Sequence, residues 1–477
     1  VPTSKHGRWL PATVVVAALA WTFGCSGENV ERPSRPHIVF VLLDTLRTDH
    51  LSTYGYRWPT TPAIDALAAR GAVFEDCTAQ ASWTLPSMIS LLTGQPIFTT
   101  IYRLPDALPV LPELLADAGY RTGAVVANSA LATDRGFARG VESYSVRQVM
   151  KAQWNAAEVT DQALAFIAAD DDRPFFLWLH YLDTHEPYTP PRVPFQRPYA
   201  ELFDPWERQL IEDTLAAAPV AERSRLSAER SGLARQIDRY DGELRFLDNQ
   251  LTRLFERLDE LALTDEVYVV IASDHGETLY RRPEHPQRLK TTREWRTKRG
   301  DPMELSDYMK AGHAYWVYQE LVRTPLIVVG PGIAPGRRVT EAVSNLDLLP
   351  TLLGLARLDL PATPGRDLSV ALRSGAPVAP AEFVTSCSDS ATSARLPDGT
   401  KLILPAAAAA RNHGLVPELY RLAIDPLERD PLPLGDQGER LRQRLLEAIA
   451  TDPFAAWQGE AMDAQTLQRL RELGYLR

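Results

Sequence analysis

Three separated segments carry the residues whose types and spacing can do chemistry. The first is Asp274-His275-Gly276-Glu277, at the end of the apolar run VYVVIASD. A carboxylate beside an imidazole, with a glycine letting the backbone turn, offers two adjacent ligands to a divalent ion. Alone, such a triplet is more often an ordinary loop. The second is Asp44, which ends the run HIVFVLLD and supplies a third ligand from a distant part of the chain. The third is Thr84 in SWTLPSMISLLTG, where Pro86 suits the first turn of a helix. A hydroxyl just before a helix N-terminus sits in a positive field that favours alkoxide and anion binding. The competing reading is that Thr84 merely caps the helix.

These residues need a scaffold that brings strand ends together. The runs HIVFVLLD, GAVVA, PFFLWLHYL, VYVVIASD and TPLIVVG read as strands buried on both faces of a parallel sheet. Between them IDALAARG, LPELLADAG, EVTDQALAFIAA and a longer stretch within 208–260 read as helices. The alternation predicts an α/β fold with a mostly parallel sheet, whose ligands bind beyond the carboxyl ends of the strands. Beyond about Pro361 the segments EFVTSC, KLILP and ELYRLA suggest a smaller α+β subdomain, closed by a helix over AQTLQRLRELGYL. The expected organisation is a signal segment over 1–25, a linker over 26–36, a catalytic domain over 37–360 and the subdomain over 361–477.

Composition narrows the class. Of 477 residues, 45% are hydrophobic and 23% charged, as in ordinary globular proteins, and the net charge of -10 argues against a nucleic-acid partner. Lys5, His6 and Arg8 precede an apolar run from Leu10 to Phe23 that ends at Gly24-Cys25. That run has the length of a signal-peptide core and resembles a bacterial lipoprotein signal, with Cys25 as the lipidated residue. The expectation is an exported, lipid-anchored envelope protein facing the periplasm or the outer membrane. An uncleaved anchor is the alternative. Cys77 and Cys387 then remain, and two buried free thiols is the simpler reading.

HIVFVLLDTLRTDHLSTYGY, TTPAIDALAARGAVFEDCTAQASWTLPSMISLLTG, PFFLWLHYLDTHEPYTPP, SDHGE and GHAYWVYQELVRTPLIVVGPG together resemble the sulfatases of the alkaline phosphatase superfamily. The resemblance runs from about Pro36 to the end. It implies Asp44, Asp274 and His275 as metal ligands, with Thr84 as nucleophile and fourth ligand. It implies His185 as a contact to the substrate anion, and His313 as an anion contact or leaving-group acid. Lys310, in the same loop as His313, is a further substrate-binding candidate. Taken without the resemblance, His185 is equally a loop residue and His313 a surface or capping residue.

The departures are specific. Sulfatases convert the cysteine or serine of Cys-x-Pro-x-Arg to formylglycine, whereas here the segment is Thr84-Leu85-Pro86-Ser87-Met88. VVANSAL replaces the Gly-Lys-x-His segment, leaving Asn128 as a polar substitute for substrate binding, and Thr45 replaces the second aspartate of an Asp-Asp pair. Fewer carboxylates and a histidine ligand favour zinc, manganese or magnesium over calcium. A formylglycine hydrate can release sulfate by collapsing to the aldehyde. Threonine has no second hydroxyl, so water or an acceptor must attack sulfur or phosphorus, which tilts the expectation toward phosphoryl chemistry. The expected function is metal-dependent hydrolysis of sulfuric or phosphoric esters borne on a glycan or lipid. The alternatives are a phospho-headgroup transferase and a silent binding protein of the same fold. Finally, 281–299 holds eight Lys/Arg against two acids, either rimming the site or forming a solvated loop.

Overall fold

The structure, a computed structural model, describes residues 35–454 apart from 100, 148–154, 285 and 310–311. The signal and linker expectations, Lys310 and the expected C-terminal helix lie outside or largely outside these residues. Among the described residues no helix is long and apolar enough to cross a membrane.

Among the described residues the main sheet has nine strands: β1 His37–Leu43, β2 Ala72–Thr78, β3 Arg121–Val126, β4 Ser143–Val146, β5 Phe175–Tyr181, β6 Val267–Ala272, β7 Arg323–Val329, β8 Arg337–Val339 and β9 Val343–Ser344. Their order is β4-β3-β5-β1-β6-β7-β2-β8, with β9 also paired to β2. All pairings are parallel except those of β7, which runs antiparallel to both β6 and β2. The segment TPLIVVG is therefore a strand, as its composition suggests, but a reversed one. An apolar run buried on both faces does not encode direction.

β1 is buried on both sides, and its alternate residues feed two cores. Ile38, Phe40 and Leu42 pack on one face with Leu85, Met88 and Leu92 of helix α2. Val39, Val41 and Leu43 pack on the other with Ala163 and Leu244. Each such side chain contributes about 1.5–3 kcal/mol of burial. Helices α1 Pro62–Ala68 and α4 Ala156–Ile167 lie with the long helix Arg230–Glu260 on that second face, while α2 Thr84–Thr93 and α3 Leu111–Asp117 share the first core.

A second, antiparallel sheet follows: β10 Val384–Cys387, β11 Ala391–Arg395, β12 Thr400–Pro405 and β13 Glu418–Arg421, covered by helix Gly435–Ala450. It grips the chain just ahead of α2. The Cys387 amide donates to the Gln80 carbonyl (2.9 Å), and the Ser82 amide donates to that of Cys387 (3.0 Å). Cys77 and Cys387 are both buried and free, and burial raises both thiols above their ordinary range.

A candidate metal centre beside a buried threonine

Asp44 and Asp274 follow the ends of neighbouring parallel strands, β1 and β6, so the sheet alone brings two carboxylates to one edge. His275 joins them, and ligand atoms of the three residues lie within 4.8 Å of one another. Gly276 is required by close approach rather than by a left-handed turn, since a Cβ there would sit 2.1 Å from the Glu320 carbonyl oxygen. His275 Nδ1 lies 2.9 Å from the Gly276 carbonyl. A carbonyl only accepts, so Nδ1 carries the proton and the Nε2 lone pair is left for the site.

The segment before α2 decides how Thr84 is read. The N-cap position is Trp83, Thr84 is the first helical residue, and no side chain caps the helix. The hydroxyl instead donates toward Asp44 Oδ2 (3.3 Å) and lies 3.3 Å from His275 Nε2. Ser87, one turn on, fixes the helix to the Asp274-His275 loop by donating to the Asp274 carbonyl (2.6 Å). The capping alternative is thereby removed.

Asn128, expected to bind substrate, is fully buried. Its amide donates to Asp44 Oδ2 (2.8 Å) and lies 3.5 Å from the Thr84 hydroxyl, while its carbonyl oxygen accepts from the Ala130 amide. It therefore orients Asp44 and reaches the hydroxyl rather than facing an open cleft. Thr45 does not replace a ligand either. At φ 56 it stands in the left-handed region, and its hydroxyl donates to the carbonyls of Asp44 (2.7 Å) and Thr184 (2.6 Å).

His185 and His313 meet at the mouth, with ring centroids 5.0 Å apart, and His313 lies 4.9 Å from His275. His185 Nδ1 donates to the Glu186 carbonyl (2.7 Å). His313 Nδ1 donates to Glu277 Oε2 (2.8 Å), which aims the other nitrogen away from that carboxylate. Two members of the cluster were not singled out from the sequence. His180 sits on β5 with Nε2 3.1 Å from Asp44 Oδ2. Its signal was a lone imidazole inside the apolar run FFLWLHY. Glu277 was visible as the fourth letter of the metal motif, but its partner lies 36 residues on.

The electrostatics call for a cation. Burial, then the charge of Asp44, pushes the Asp274 carboxyl well above the usual carboxylate range. Burial acts the same way on Asp44, but the His180 hydrogen bond and the charges of His185 and His275 outweigh it and hold Asp44 below that range. Burial and the charge of His313 drop His275 to about 3, so its imidazole is neutral at physiological pH. Asp44 Oδ1 and Asp274 Oδ2 have no hydrogen-bond partner among the described residues. Buried carboxylate oxygens left this way are costly unless a metal or proton meets them. The donor set of two carboxylates and one imidazole fits a divalent ion.

The basic stretch 281–299 is mostly helical, over Pro286–Arg299, rather than a loop. Arg281 pairs with Glu207 (2.7 Å), Arg293 with Glu222 (2.9 Å) and Arg296 with Asp307 (3.0 Å). Much of its charge is thus spent within the protein.

A mostly parallel sheet flanked by helices, with a small antiparallel sheet beside it and an Asp-Asp-His cluster at the strand ends, is an alkaline-phosphatase-like fold. The family model described as Sulfatase matches residues 36–358, and the chain belongs to that family. It is similar to choline-sulfatase of Rhizobium meliloti, 24% identical over 510 residues, covering 90% of this chain and 88% of the relative. A solved structure of a protein in complex with its substrate D-glucosamine-2-N,6-O-disulfate superposes with a TM-score of 0.66 at 20% identity, covering 87% of this chain and 97% of the other. Phosphonate monoester hydrolase of Agrobacterium radiobacter superposes with a TM-score of 0.61 at 18% identity, covering 87% and 95%.

Proposed function

We propose that the chain hydrolyses sulfuric or phosphoric esters with Thr84 as a metal-activated nucleophile. The observation that carries this is the Thr84 hydroxyl, buried and 3.3 Å from both Asp44 Oδ2 and His275 Nε2 instead of capping its helix. A divalent ion held by Asp44, Asp274 and His275 would acidify the hydroxyl and neutralise the ester oxygens. Among the chain's own groups, Asp44 Oδ2 faces the Thr84 proton, and Asn128 and His180 keep that carboxylate in place. Thr84 Oγ bonds to sulfur or phosphorus as the ester oxygen departs, and the departing oxygen takes a proton from His313, which Glu277 orients. Water then displaces the Thr84 oxygen, because a threonine adduct cannot collapse to an aldehyde.

That last constraint favours phosphoryl or phosphonyl substrates beside the sulfate esters typical of the family. The named activity of Agrobacterium phosphonate monoester hydrolase, whose fold is similar, is consistent with such breadth. Glycan-borne esters are the substrate class suggested by the disulfated glucosamine bound to its structural neighbour. The test is a rapid-quench experiment with 4-nitrophenyl sulfate and 4-nitrophenyl phosphate, followed by peptide mass spectrometry. A sulfo or phospho group on the peptide bearing Thr84 is expected. Turnover with that peptide unmodified throughout, at every quench time, would remove Thr84 from the role.

A further inference from the structure

Thr84 and His313 stand on distant segments of the chain, and the chemistry assigned to them needs both at one ester. A direct backbone bond joins the two segments. The amide of Ala314, next to His313, donates to the carbonyl of Ser82, two residues ahead of Thr84 (2.9 Å). The turn between β10 and β11 holds each side of that bond. On the Thr84 side, the Cys387 amide donates to Gln80 and the Cys387 carbonyl accepts from Ser82. On the His313 side, the Asp389 amide donates to the Ala314 carbonyl (3.1 Å).

Ser388 closes this turn and also reaches out of it. Its amide donates to the Ala391 carbonyl (2.8 Å), and its Oγ accepts from the amides of Ser390 (3.3 Å) and Ala391 (3.0 Å). The single hydroxyl proton has two carbonyls in reach, those of Tyr315 (3.0 Å) and Ala391 (3.1 Å). The Ala391 carbonyl is already served by the Ser388 amide, which leaves the proton for Tyr315. Further along, Lys401 on β12 donates to the Val317 carbonyl (2.6 Å) and pairs with Glu428 (2.7 Å), both buried. The segment after His313 therefore hangs on the second sheet.

Packing alone would also join the sheets, since Trp316 and Val317 share an apolar cluster with Ile403 and Tyr420. Packing does not account for Ala314. At φ 72 it stands in the left-handed region, which a β-carbon disfavours. A residue keeps such a conformation where its surroundings over-determine it, and here bonds fix both its amide and its carbonyl. On the other side of His313, the Gly312 amide donates to the Thr278 hydroxyl (3.1 Å), beside Glu277. His313 is thus held from both sides, by the loop of Glu277 and by the second sheet.

We infer that the β10–β11 turn sets the spacing of Thr84 and His313, with Ser388 as a positioning residue for proton delivery to the departing oxygen. Proton delivery rests on the reading of His313 as leaving-group acid; the positioning of His313 by itself does not.

The test has two arms. In the first, kcat/KM is measured for aryl sulfates and aryl phosphates from 4-nitrophenyl to 4-methoxyphenyl, since it covers departure of the alcohol but not release of the Thr84 adduct. A more basic departing oxygen depends more on its acid, so Ser388→Ala is expected to lower kcat/KM about fivefold or more for the 4-methoxyphenyl esters and about twofold or less for the 4-nitrophenyl esters. His313→Gln should show the same dependence, and Ser388→Ala should add nothing to it. Ser388→Thr, which keeps the hydroxyl, should restore the wild-type pattern. Equal loss across the series in Ser388→Ala would overturn the proposal. A flat series for His313→Gln would instead remove His313 as the acid, and the second arm then decides the positioning.

In that arm, NMR on protein carrying isotope-labelled histidine follows exchange of the His313 Nδ1 proton, bonded to Glu277, with the His50 Nδ1 proton, bonded to Asp241, as control. Faster exchange at His313 in Ser388→Ala, with His50 unchanged, supports the positioning even if His313 is not the acid. Unchanged exchange at His313, or an equal rise at both, overturns it whatever the chemistry at Thr84.

Discussion

Two buried polar clusters lie within a few residues of each other along the chain and are finished differently. Behind the loop that follows Asp44, Arg197 Nε binds Asp238 (2.6 Å), and Arg197 also pairs with Asp241. Asp241 is met by His50 (2.6 Å) on one oxygen and the Tyr56 hydroxyl (2.6 Å) on the other. Burial works to raise the Asp241 carboxyl, but the charge and hydrogen bond of His50 and the Arg197 charge hold it below its ordinary value. At the strand ends, Asp44 and Asp274 have no guanidinium beside them among the described residues, each keeps an oxygen without a partner among those residues, and only one of the pair is held ionised. The first cluster is a scaffold complete in itself. The second is complete only with a ligand.

The scaffold serves the site. Next to Asp241, Tyr240 donates its hydroxyl to the Thr45 carbonyl (3.1 Å) and accepts from the Arg47 amide (3.0 Å). Arg47 Nη1 in turn donates to the Glu277 carbonyl (2.7 Å). The left-handed Thr45 is thus held in place from behind, and with it the direction in which Asp44 points.

The comparison sharpens into measurements. The largest effect is expected from Asp274→Asn, which removes a ligand charge without changing shape. Metal affinity should fall about a hundredfold or more, beyond what outer-shell changes cost, and turnover should fall with it. Retained metal in Asp274→Asn, measured by calorimetric titration with zinc, would break the distinction between the clusters. Next is Arg197→Met, which leaves buried carboxylates unpaired and should cost about 3–5 kcal/mol of stability. Metal content per folded molecule should stay near the wild-type level, and loss of metal before unfolding would show that the scaffold and site are one unit.

The smallest effect concerns pH. Burial favours the neutral acid of Glu277, but the charge and hydrogen bond of His313 outweigh it and hold the carboxyl at about 2 against an ordinary value of 4.5. A folded value below the unfolded one adds stability that is complete above pH 4.5 and lost as the pH falls through about 2. Glu277→Gln should therefore flatten the acid limb of the melting-temperature profile in that window. An unchanged limb would mean that the pair does not form.

Much of this was legible in the sequence because it lay in contiguous patterns. Doubly buried strands ending in Asp44 and near Asp274 set both the fold class and the edge that carries the Asp-Asp-His cluster. Contacts across the chain were not legible. The His180–Asp44 and Glu277–His313 pairs join residues 136 and 36 positions apart. The reversal of β7 depends on pairing rather than composition. Whether Thr84 caps its helix was not legible, because a cap and a nucleophile both put a hydroxyl at a helix start; the N-cap is Trp83. The helix over Pro286–Arg299 was not legible because its apolar residues are too few to show a periodic face.

The most direct test of the account is turnover and metal content measured together on Thr84→Ala. Loss of about a thousandfold or more in kcat with metal bound as in wild type is the predicted result. Substantial turnover in the metal-loaded Thr84→Ala protein would contradict it.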